Sequence, residues 1–163
     1  MAGTGRKGMK PLNLPPLALS VPTDESGVSL GHLLTLTHAR LMHRITQLTQ
    51  DEFGVTGMQG KVLFLLASGC CTTAADLARY WNIDAGAITR VLDRIEKHGL
   101  LRRVRASEDR RVVRLVTTEA GAAIAEAMPR LLHSVIDEAL DGLAADERQA
   151  LKRMLLRILD NGV

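Results

Sequence analysis

Aromatic residues are scarce in this sequence of 163 residues, and what it lacks narrows the classes of protein to which it can belong. Phe53, Phe64, Tyr80 and Trp81 are its four aromatic side chains. Proteins that hold single-stranded nucleic acid stack the bases on exposed aromatic rings, so this scarcity argues against that class. No run of 18 apolar residues is present, so the sequence predicts no membrane-spanning helix.

Cysteine is also scarce, and the two cysteines are adjacent. Cys70 and Cys71 cannot easily link distant parts of the chain, which argues against a disulfide scaffold and makes a cytoplasmic location the simplest interpretation. No glycine-rich phosphate loop and no paired nucleophile and base are recognisable. We therefore expect no enzymatic activity, no metal site and no cofactor.

The remaining composition is that of a soluble globular protein, with 46% hydrophobic and 24% charged residues. Four of the five prolines lie within residues 1–28, where we predict a flexible or extended arm. Beyond it, apolar residues recur at three- and four-residue steps and predict the order helix-helix-helix-helix-hairpin-helix-helix. The predicted helices cover about 29–50, 58–67, 73–81 and 84–98, followed by strands at 100–105 and 112–116 and helices that begin near 118 and 146.

Several residues mark the predicted helix ends. Thr73 and Asp76 are spaced as a capping box, and Asp84 is a suitable N-cap for the fourth helix. Gly99 suits the left-handed conformation that ends a helix. Pro129 lies inside the fifth helix and should kink it, because proline lacks an amide donor.

Positive charge is concentrated between Arg90 and Arg114. This segment has nine Lys or Arg residues against four acids, a net charge of +5, whereas the rest of the chain sums to −2. A helix followed by a basic hairpin is typical of a winged helix-turn-helix, whose second helix enters the major groove of double-stranded DNA. The predicted fold class is therefore mostly α with a small β-hairpin wing.

The helix over 84–98 is the predicted recognition helix. The candidates for DNA contact lie outside its apolar stripe: Ala85, Gly86, Ala87, Thr89, Arg90 and Arg94. The three small residues allow close approach to base edges, and Arg90 is the leading candidate for base recognition because a guanidinium can pair with two acceptors of guanine. The alternative is a solvated helix face that happens to carry arginines.

The hairpin tip contains Glu108, Asp109, Arg110 and Arg111. An acid beside an arginine at a turn can fix that arginine's rotamer. We assign Arg110 to the narrow minor groove, Asp109 to positioning it and Arg111 to a phosphate. A surface ion-pair cluster without a function is the alternative.

The segment from Ile95 to Gly121 resembles the MarR family of multiple-antibiotic-resistance-type regulators. The matching positions are Gly99-Leu100, Arg103, Asp109-Arg110-Arg111 and Thr118-Glu119-Ala120-Gly121. The resemblance adds Arg103 to the DNA-binding candidates. It implies a homodimeric winged-helix repressor or activator that binds a palindromic duplex site. It also implies release from DNA by a small aromatic acid or phenol.

A helical dimerisation lobe built from both chain ends follows from the apolar stripes of the first, fifth and sixth helices. We predict a dimerisation and linking helix at 29–55, a DNA-binding domain at 56–117 and dimerisation helices at 118–163. Pairing with a second copy would bury these stripes and place two recognition helices roughly 34–36 Å apart. A monomer whose stripes only cover the central unit is the alternative.

The first helix carries the predicted ligand-binding residues His32, His38, Arg40 and His43. A cation and imidazoles in an apolar cleft suit a carboxylate or a phenolate. The resemblance implies the same cleft, lined by the first, second and fifth helices, and a small aromatic carboxylate as effector, salicylate- or hydroxynicotinate-like. These residues could equally form the solvated face of an amphipathic helix.

Two other functions stay open. A thiol-based redox-sensing regulator could use Cys70 and Cys71, because the N-terminal end of the third helix would lower a thiol's pKa. A winged-helix module for protein–protein interaction is the second, although such a module gains little from nine cations.

Overall fold

The computed structural model describes residues 29–105 and 112–162. Within them the chain forms six helices and one antiparallel hairpin: α1 (Leu30–Phe53), α2 (Gly57–Ala67), α3 (Ala74–Trp81), α4 (Ala85–Lys97), β1 (Leu101–Arg105), β2 (Val113–Thr117), α5 (Glu119–Ala139) and α6 (Ala145–Asp160). The predicted element order and the mostly α fold class with a β-hairpin are confirmed. The predicted arm lies outside the described residues.

The chain divides into two compact units, residues 1–35 and 36–163. The described part of the first unit is the beginning of α1. There the Ser29 hydroxyl accepts a hydrogen bond from the His32 amide (3.2 Å), and the Thr35 hydroxyl donates one to the Gly31 carbonyl (2.9 Å). The second unit contains the rest of α1 and all the other described elements.

Two predicted helix starts are confirmed. At α3, the Thr73 hydroxyl accepts from the Asp76 amide (3.2 Å), and the Asp76 carboxylate accepts from the Thr73 amide (2.9 Å). At α4, the Asp84 carboxylate accepts from the Ala87 amide (3.1 Å). Each contact satisfies an amide that has no partner within its own helix.

Helix α2 starts at a capping box that the sequence analysis did not identify. The Thr56 hydroxyl accepts from the Gln59 amide (3.3 Å), and the Gln59 side chain accepts from the Thr56 amide (2.8 Å). The helix therefore begins at Gly57, one residue earlier than predicted.

The end of α4 is a Schellman motif, in which two amides bond back into the last turn. The amides of Gly99 and Leu100 donate to the carbonyls of Glu96 (2.8 Å) and Ile95 (3.1 Å). Gly99 has φ +70°, so the predicted left-handed residue is confirmed. The motif turns the chain directly into β1.

One apolar core joins α2, α3, α4, the hairpin and the start of α5. Its most deeply buried side chains are Val62, Leu63, Leu77, Ile88, Leu92, Ile95 and Leu101. Strands β1 and β2 pair antiparallel, with Leu101 opposite Thr117 and Arg105 opposite Val113. The Leu115 amide donates to the Thr72 carbonyl (2.8 Å), so the segment before α3 is also fixed to the hairpin.

Helix α5 packs on α1 and continues without interruption through Pro129. The kink at this proline stays a prediction. Four buried residues form a second cluster between the two helices: Ile45, Met128, Leu131 and Val135. Two ion pairs also link them, Arg44 with Glu138 (3.2 Å) and Arg130 with Glu52 (2.6 Å). Both pairs are exposed, so each contributes about 1 kcal/mol or less.

Helix α6 buries none of its residues among the described parts of the chain. Arg148 anchors its start by donating to the carbonyls of Leu140 (2.9 Å) and Leu143 (3.1 Å). Its large apolar side chains stay exposed: Met154, Leu155, Leu156 and Leu159. Across residues 29–105 and 112–162, no helix is both long and apolar enough to cross a membrane.

Candidate functional site

Helix α4 has one buried face and one exposed face. Its buried residues are Ile88, Leu92 and Ile95. The DNA-binding candidates Ala85, Gly86, Thr89, Arg90 and Arg94 are exposed, and Ala87 is half-buried. Among the described residues, neither Arg90 nor Arg94 forms an ion pair. Their guanidinium groups are therefore available for phosphate or base acceptors.

The first turn of α4 is organised around Asp84. A β-carbon on Gly86 would lie 2.8 Å from the Asp84 Oδ2 atom, which is the atom that caps the Ala87 amide. The Thr89 hydroxyl donates to the Ala85 carbonyl (2.9 Å). The absence of a side chain at Gly86 therefore leaves room for the capping carboxylate of Asp84 and keeps the first turn of α4 accessible.

Arg103 is held by two carboxylates of α4. Its Nη1 atom lies 2.7 Å from Glu96 Oε2, and its Nη2 atom lies 2.7 Å from Asp93 Oδ1. The Arg103 amide also donates to Glu96 Oε1 (3.2 Å). The guanidinium that was predicted to contact DNA is therefore engaged within the protein.

The described part of the hairpin adds further cations. Arg102, Arg105 and Arg114 are exposed. Among the described residues, Arg102 and Arg105 form no ion pair. Three predicted wing residues lie outside the described residues, so their assigned roles stay predictions: Asp109, Arg110 and Arg111.

An open groove of about 400 Å³ lies between α1 and α5. Its lining residues are Thr37, Arg40, Leu41, Arg44, Val135, Glu138 and Ala139. The Arg44 guanidinium is paired with Glu138, whereas Arg40 forms no ion pair among the described residues. The groove therefore offers one uncommitted cation beside an apolar wall, which suits a small aromatic anion.

Only one of the four predicted ligand-binding residues, Arg40, lines this groove. The residues of α1 that line the groove are at positions 37, 40, 41 and 44, which lie on one side of the helix. His38 and His43 are exposed but do not line it. His32 belongs to the first unit, where it is half-buried and its Nε2 atom has no hydrogen-bond partner among the described residues.

Lys61 is a cation that the sequence analysis did not select. It is half-buried on α2, and its Nζ atom lies 3.0 Å from Met42 Sδ. No described carboxylate pairs with it. Burial lowers the pKa of this ammonium group. A single charged residue in the otherwise uncharged helix GMQGKVLFLLA was the available signal.

The two cysteines differ in environment. Cys70 is exposed, Cys71 is buried, and both are free thiols. Burial is the largest cause that raises the pKa of Cys71. The charges of Asp76 and Cys70 raise it further, and Arg79 lowers it. The expectation of a lowered thiol pKa is therefore wrong for Cys71, whereas a redox role of the two cysteines stays a prediction.

Residues 55–113 match the family model described as MarR family. The chain is 30% identical over 133 residues to the multiple antibiotic resistance protein MarR of Escherichia coli (strain K12), a match that covers 81% of this chain and 92% of that protein. It is also 30% identical over 108 residues to the uncharacterized HTH-type transcriptional regulator YdgJ of Bacillus subtilis (strain 168), covering 66% of each chain.

Solved structures give the same result. The crystal structure of a cysteine-to-serine mutant of E. coli MarR complexed with operator DNA matches with a TM-score of 0.72 and 30% identity, over 80% of this chain and 93% of that one. The reduced form of E. coli MarR matches with a TM-score of 0.71 and 29% identity, over 81% and 97%. By sequence, fold and the arrangement of its basic helix and hairpin, the chain belongs to the MarR family of winged helix-turn-helix, DNA-binding transcriptional regulators.

Proposed function

We propose that this protein represses transcription by binding a pseudo-palindromic DNA operator and leaves that operator when a small aromatic acid or phenol binds. The observation that carries the DNA part is the exposed face of α4, where Arg90 and Arg94 have no ion-pair partner among the described residues. The E. coli relative complexed with operator DNA, at 30% identity, supports the same role. The expected location is the cytoplasm.

In this proposal the winged unit makes three kinds of contact with DNA. Arg90 reads a base edge, and the small residues Ala85, Gly86 and Ala87 let the first turn of α4 approach the major groove. Phosphates are bound by Arg94, Arg102, Arg105 and Arg111. Arg110, positioned by Asp109, enters the minor groove.

A homodimer accounts for the surface of α6. Met154, Leu155 and Leu159 expose 53%, 40% and 65% of their surface, and none of the residues of α6 is buried among the described parts of the chain. A stripe of this kind on the last helix is poorly suited to permanent contact with water. A second copy would cover it with the same stripe and present two recognition helices to one operator.

The groove between α1 and α5 is the proposed effector site. Arg40 supplies the charge for a carboxylate or phenolate, the Thr37 hydroxyl supplies a hydrogen bond, and Leu41 and Val135 supply apolar contacts. A cavity of about 400 Å³ admits a ligand of salicylate size. Since α5 runs from this groove to the junction of α4 and the wing, it offers a rigid connection to the DNA-binding unit.

The proposal can be tested by selecting duplexes from a random-sequence pool with the unsubstituted protein. A selected duplex of about 30 base pairs is long enough for two half-sites one helical turn apart. We expect a two-fold symmetric consensus, and binding that weakens steeply between about 50 and about 200 mM salt. Millimolar salicylate or hydroxynicotinate should release the duplex. Failure to enrich any sequence would refute the DNA proposal, and full retention in both ligands would refute this effector class.

Arg90→Ala measures the recognition role directly. It should weaken binding to the selected duplex by roughly tenfold or more, because a guanidinium on a base edge contributes about 1–3 kcal/mol. Arg153→Ala is the matched control, since Arg153 is exposed on α6, outside the winged unit, and like Arg90 forms no ion pair among the described residues. Equal effects of the two substitutions would show that total charge, and not the face of α4, decides affinity.

The dimer has its own test. Replacing both Leu155 and Leu159 by Asp places two charges on the exposed stripe of α6 and should give a monomer by light scattering. Asp146→Asn, in the first turn of the same helix, should leave the mass unchanged. A monomeric unsubstituted protein would contradict the proposed dimer.

A further inference from the structure

We infer that Arg103 is a positioning residue, which locks β1 of the wing onto the recognition helix α4 and does not itself contact DNA. The inference rests on the proposed function, because a fixed angle between helix and wing matters when both engage one duplex. The family resemblance made Arg103 a DNA-binding candidate, whereas the contacts of its guanidinium in the structure point to a role within the protein.

Arg103 makes three contacts with α4. Two are ion pairs of 2.7 Å with Asp93 and Glu96, and the third is the bond of 3.2 Å from its own amide to Glu96. The two acids are three residues apart and lie on the same side of the helix, so one guanidinium fork reaches both. Charge-assisted hydrogen bonds of this length are about twice as strong as neutral ones.

The hairpin register turns Arg103 away from the neighbouring cation of β1. Successive side chains of a strand point to opposite faces, so Arg102 and Val104 lie on the face opposite to Arg103. The register partner of Arg103 is Leu115, which is 7% exposed and belongs to the core of the winged unit. To reach a phosphate, the Arg103 guanidinium would have to leave both carboxylates.

The same contacts also determine how much unpaired negative charge the recognition helix α4 presents. Asp93 and Glu96 lie on the helix that carries Arg90 and Arg94, and unpaired carboxylates there would repel DNA phosphates. Arg103 offsets one of their two charges and holds both carboxylates at the junction with β1. Without Arg103, the wing would therefore loosen and two acids would be exposed to the duplex.

The DNA test compares substitutions of opposite charge in this cluster, using the selected duplex and a scrambled duplex of equal length. If Arg103 is a positioning residue, Arg103→Gln and the double variant Asp93→Asn/Glu96→Gln both lower the ratio of selected to scrambled affinity, by about tenfold. If Arg103 contacts a phosphate, removing the acids frees it to bind any duplex more tightly, and the ratio of selected to scrambled affinity stays unchanged. That outcome would overturn the inference.

Two further variants separate charge from geometry. Arg103→Lys keeps the charge but lacks the fork, so it should behave like Arg103→Gln, and full rescue by lysine would contradict the lock. Arg102→Gln removes a cation that is proposed to bind a phosphate, so the slope of log affinity against log salt should become shallower by about 0.9 per phosphate. On the scrambled duplex, where a fixed angle between helix and wing does not matter, Arg103→Gln should leave this slope unchanged, and a reduction like that of Arg102→Gln would also overturn the inference.

Hydrogen exchange tests the lock without any DNA. In Arg103→Gln, amides of residues 101–105 and 113–117 should exchange about tenfold faster, while amides of α2 stay unchanged. Unchanged exchange in the hairpin would contradict the inference even if DNA binding fell. Arg103→Lys and the double variant give the same comparison should Arg103→Gln not fold. A protein that selects no duplex refutes the proposed function, whereas the exchange rates still decide the role of Arg103.

Discussion

Gly121 lies directly against the carbonyl oxygen of Leu100, and a β-carbon on residue 121 would overlap that oxygen. The same junction is closed by two hydrogen bonds from Thr118. Its amide donates to the Leu100 carbonyl (3.1 Å), and its hydroxyl donates to the Gly99 carbonyl (2.8 Å). The Thr118 hydroxyl also accepts from the Gly121 amide (3.2 Å). The first turn of α5 is thus seated on the end of the recognition helix.

Gly121→Ala should therefore destabilise the protein strongly, by about 3 kcal/mol or more, because backbone atoms on both sides would have to separate. Gly60→Ala is the matched control. A β-carbon there would meet the sulfur of Met128 at 2.5 Å, and this flexible side chain, although fully buried, can change rotamer at a smaller cost than a backbone carbonyl can shift. Urea unfolding should show a much smaller loss of stability for Gly60→Ala than for Gly121→Ala. Equal losses would mean that the backbone around Leu100 relaxes easily.

The sequence identified this junction as a motif but could not give its cause. Thr118 and Gly121 were matched to the family pattern, and Gly99 was predicted to be left-handed from its position after a helix. The close approach of Gly121 to Leu100 joins residues 21 positions apart, and no local periodicity encodes such a contact. The helices and strands, by contrast, were predicted well, because the caps and apolar stripes that define them act within one or two helical turns.

Substitutions of two residues that line the groove between α1 and α5 should change salicylate affinity in opposite directions. Arg40→Gln should weaken salicylate binding by about tenfold or more, because it removes the uncommitted cation. Glu138→Gln should strengthen it, because it removes a carboxylate and releases Arg44 from its ion pair of 3.2 Å. Calorimetric titration with salicylate measures both. If neither substitution changes the affinity, the ligand binds elsewhere.

The residues that line the groove were harder to predict than the exposed face of α4. Polar residues of the first helix were selected by type, and three of the four histidine and arginine candidates do not line the groove: His32, His38 and His43. The stripe that faces α5 is set by packing around Ile45, a tertiary feature. For the recognition helix, by contrast, the apolar stripe itself defined the exposed face. The family assignment confirms the expectation that the chain is not an enzyme.

Lys61→Met should stabilise the protein by about 0.5–1 kcal/mol at neutral pH, since it removes a half-buried charge and methionine fills irregular space well. Burial lowers the folded-state pKa of Lys61 below its unfolded value. Between the folded-state and the unfolded-state pKa of Lys61, the unfolded chain binds more protons than the folded chain. The free energy of unfolding of the unsubstituted protein therefore rises with pH, and the stability gained by Lys61→Met becomes smaller. Urea unfolding at neutral and alkaline pH measures this.

Lys97→Met is the control for Lys61→Met, because Lys97 is exposed on α4. It should change stability by about 0.5 kcal/mol or less. A destabilised Lys61→Met variant would show instead that the contact between the ammonium and Met42 is favourable.

The capping box of α3 should make the stability of the protein depend on pH in the acidic range. The Thr72 amide is the largest cause that lowers the pKa of Asp76, and the Thr73 hydroxyl and amide add to it. Because the folded-state pKa lies below the unfolded value of about 3.9, the stabilisation is fully present above that value and is lost as pH falls through the folded pKa. Asp76→Asn should therefore cost about 1 kcal/mol at neutral pH and progressively less below about pH 4. Thr73→Ala breaks the same box without removing an acid, so part of its cost should persist in acid. Urea unfolding as a function of pH distinguishes the two variants, and a cost of Asp76→Asn that does not change with pH would contradict the assignment.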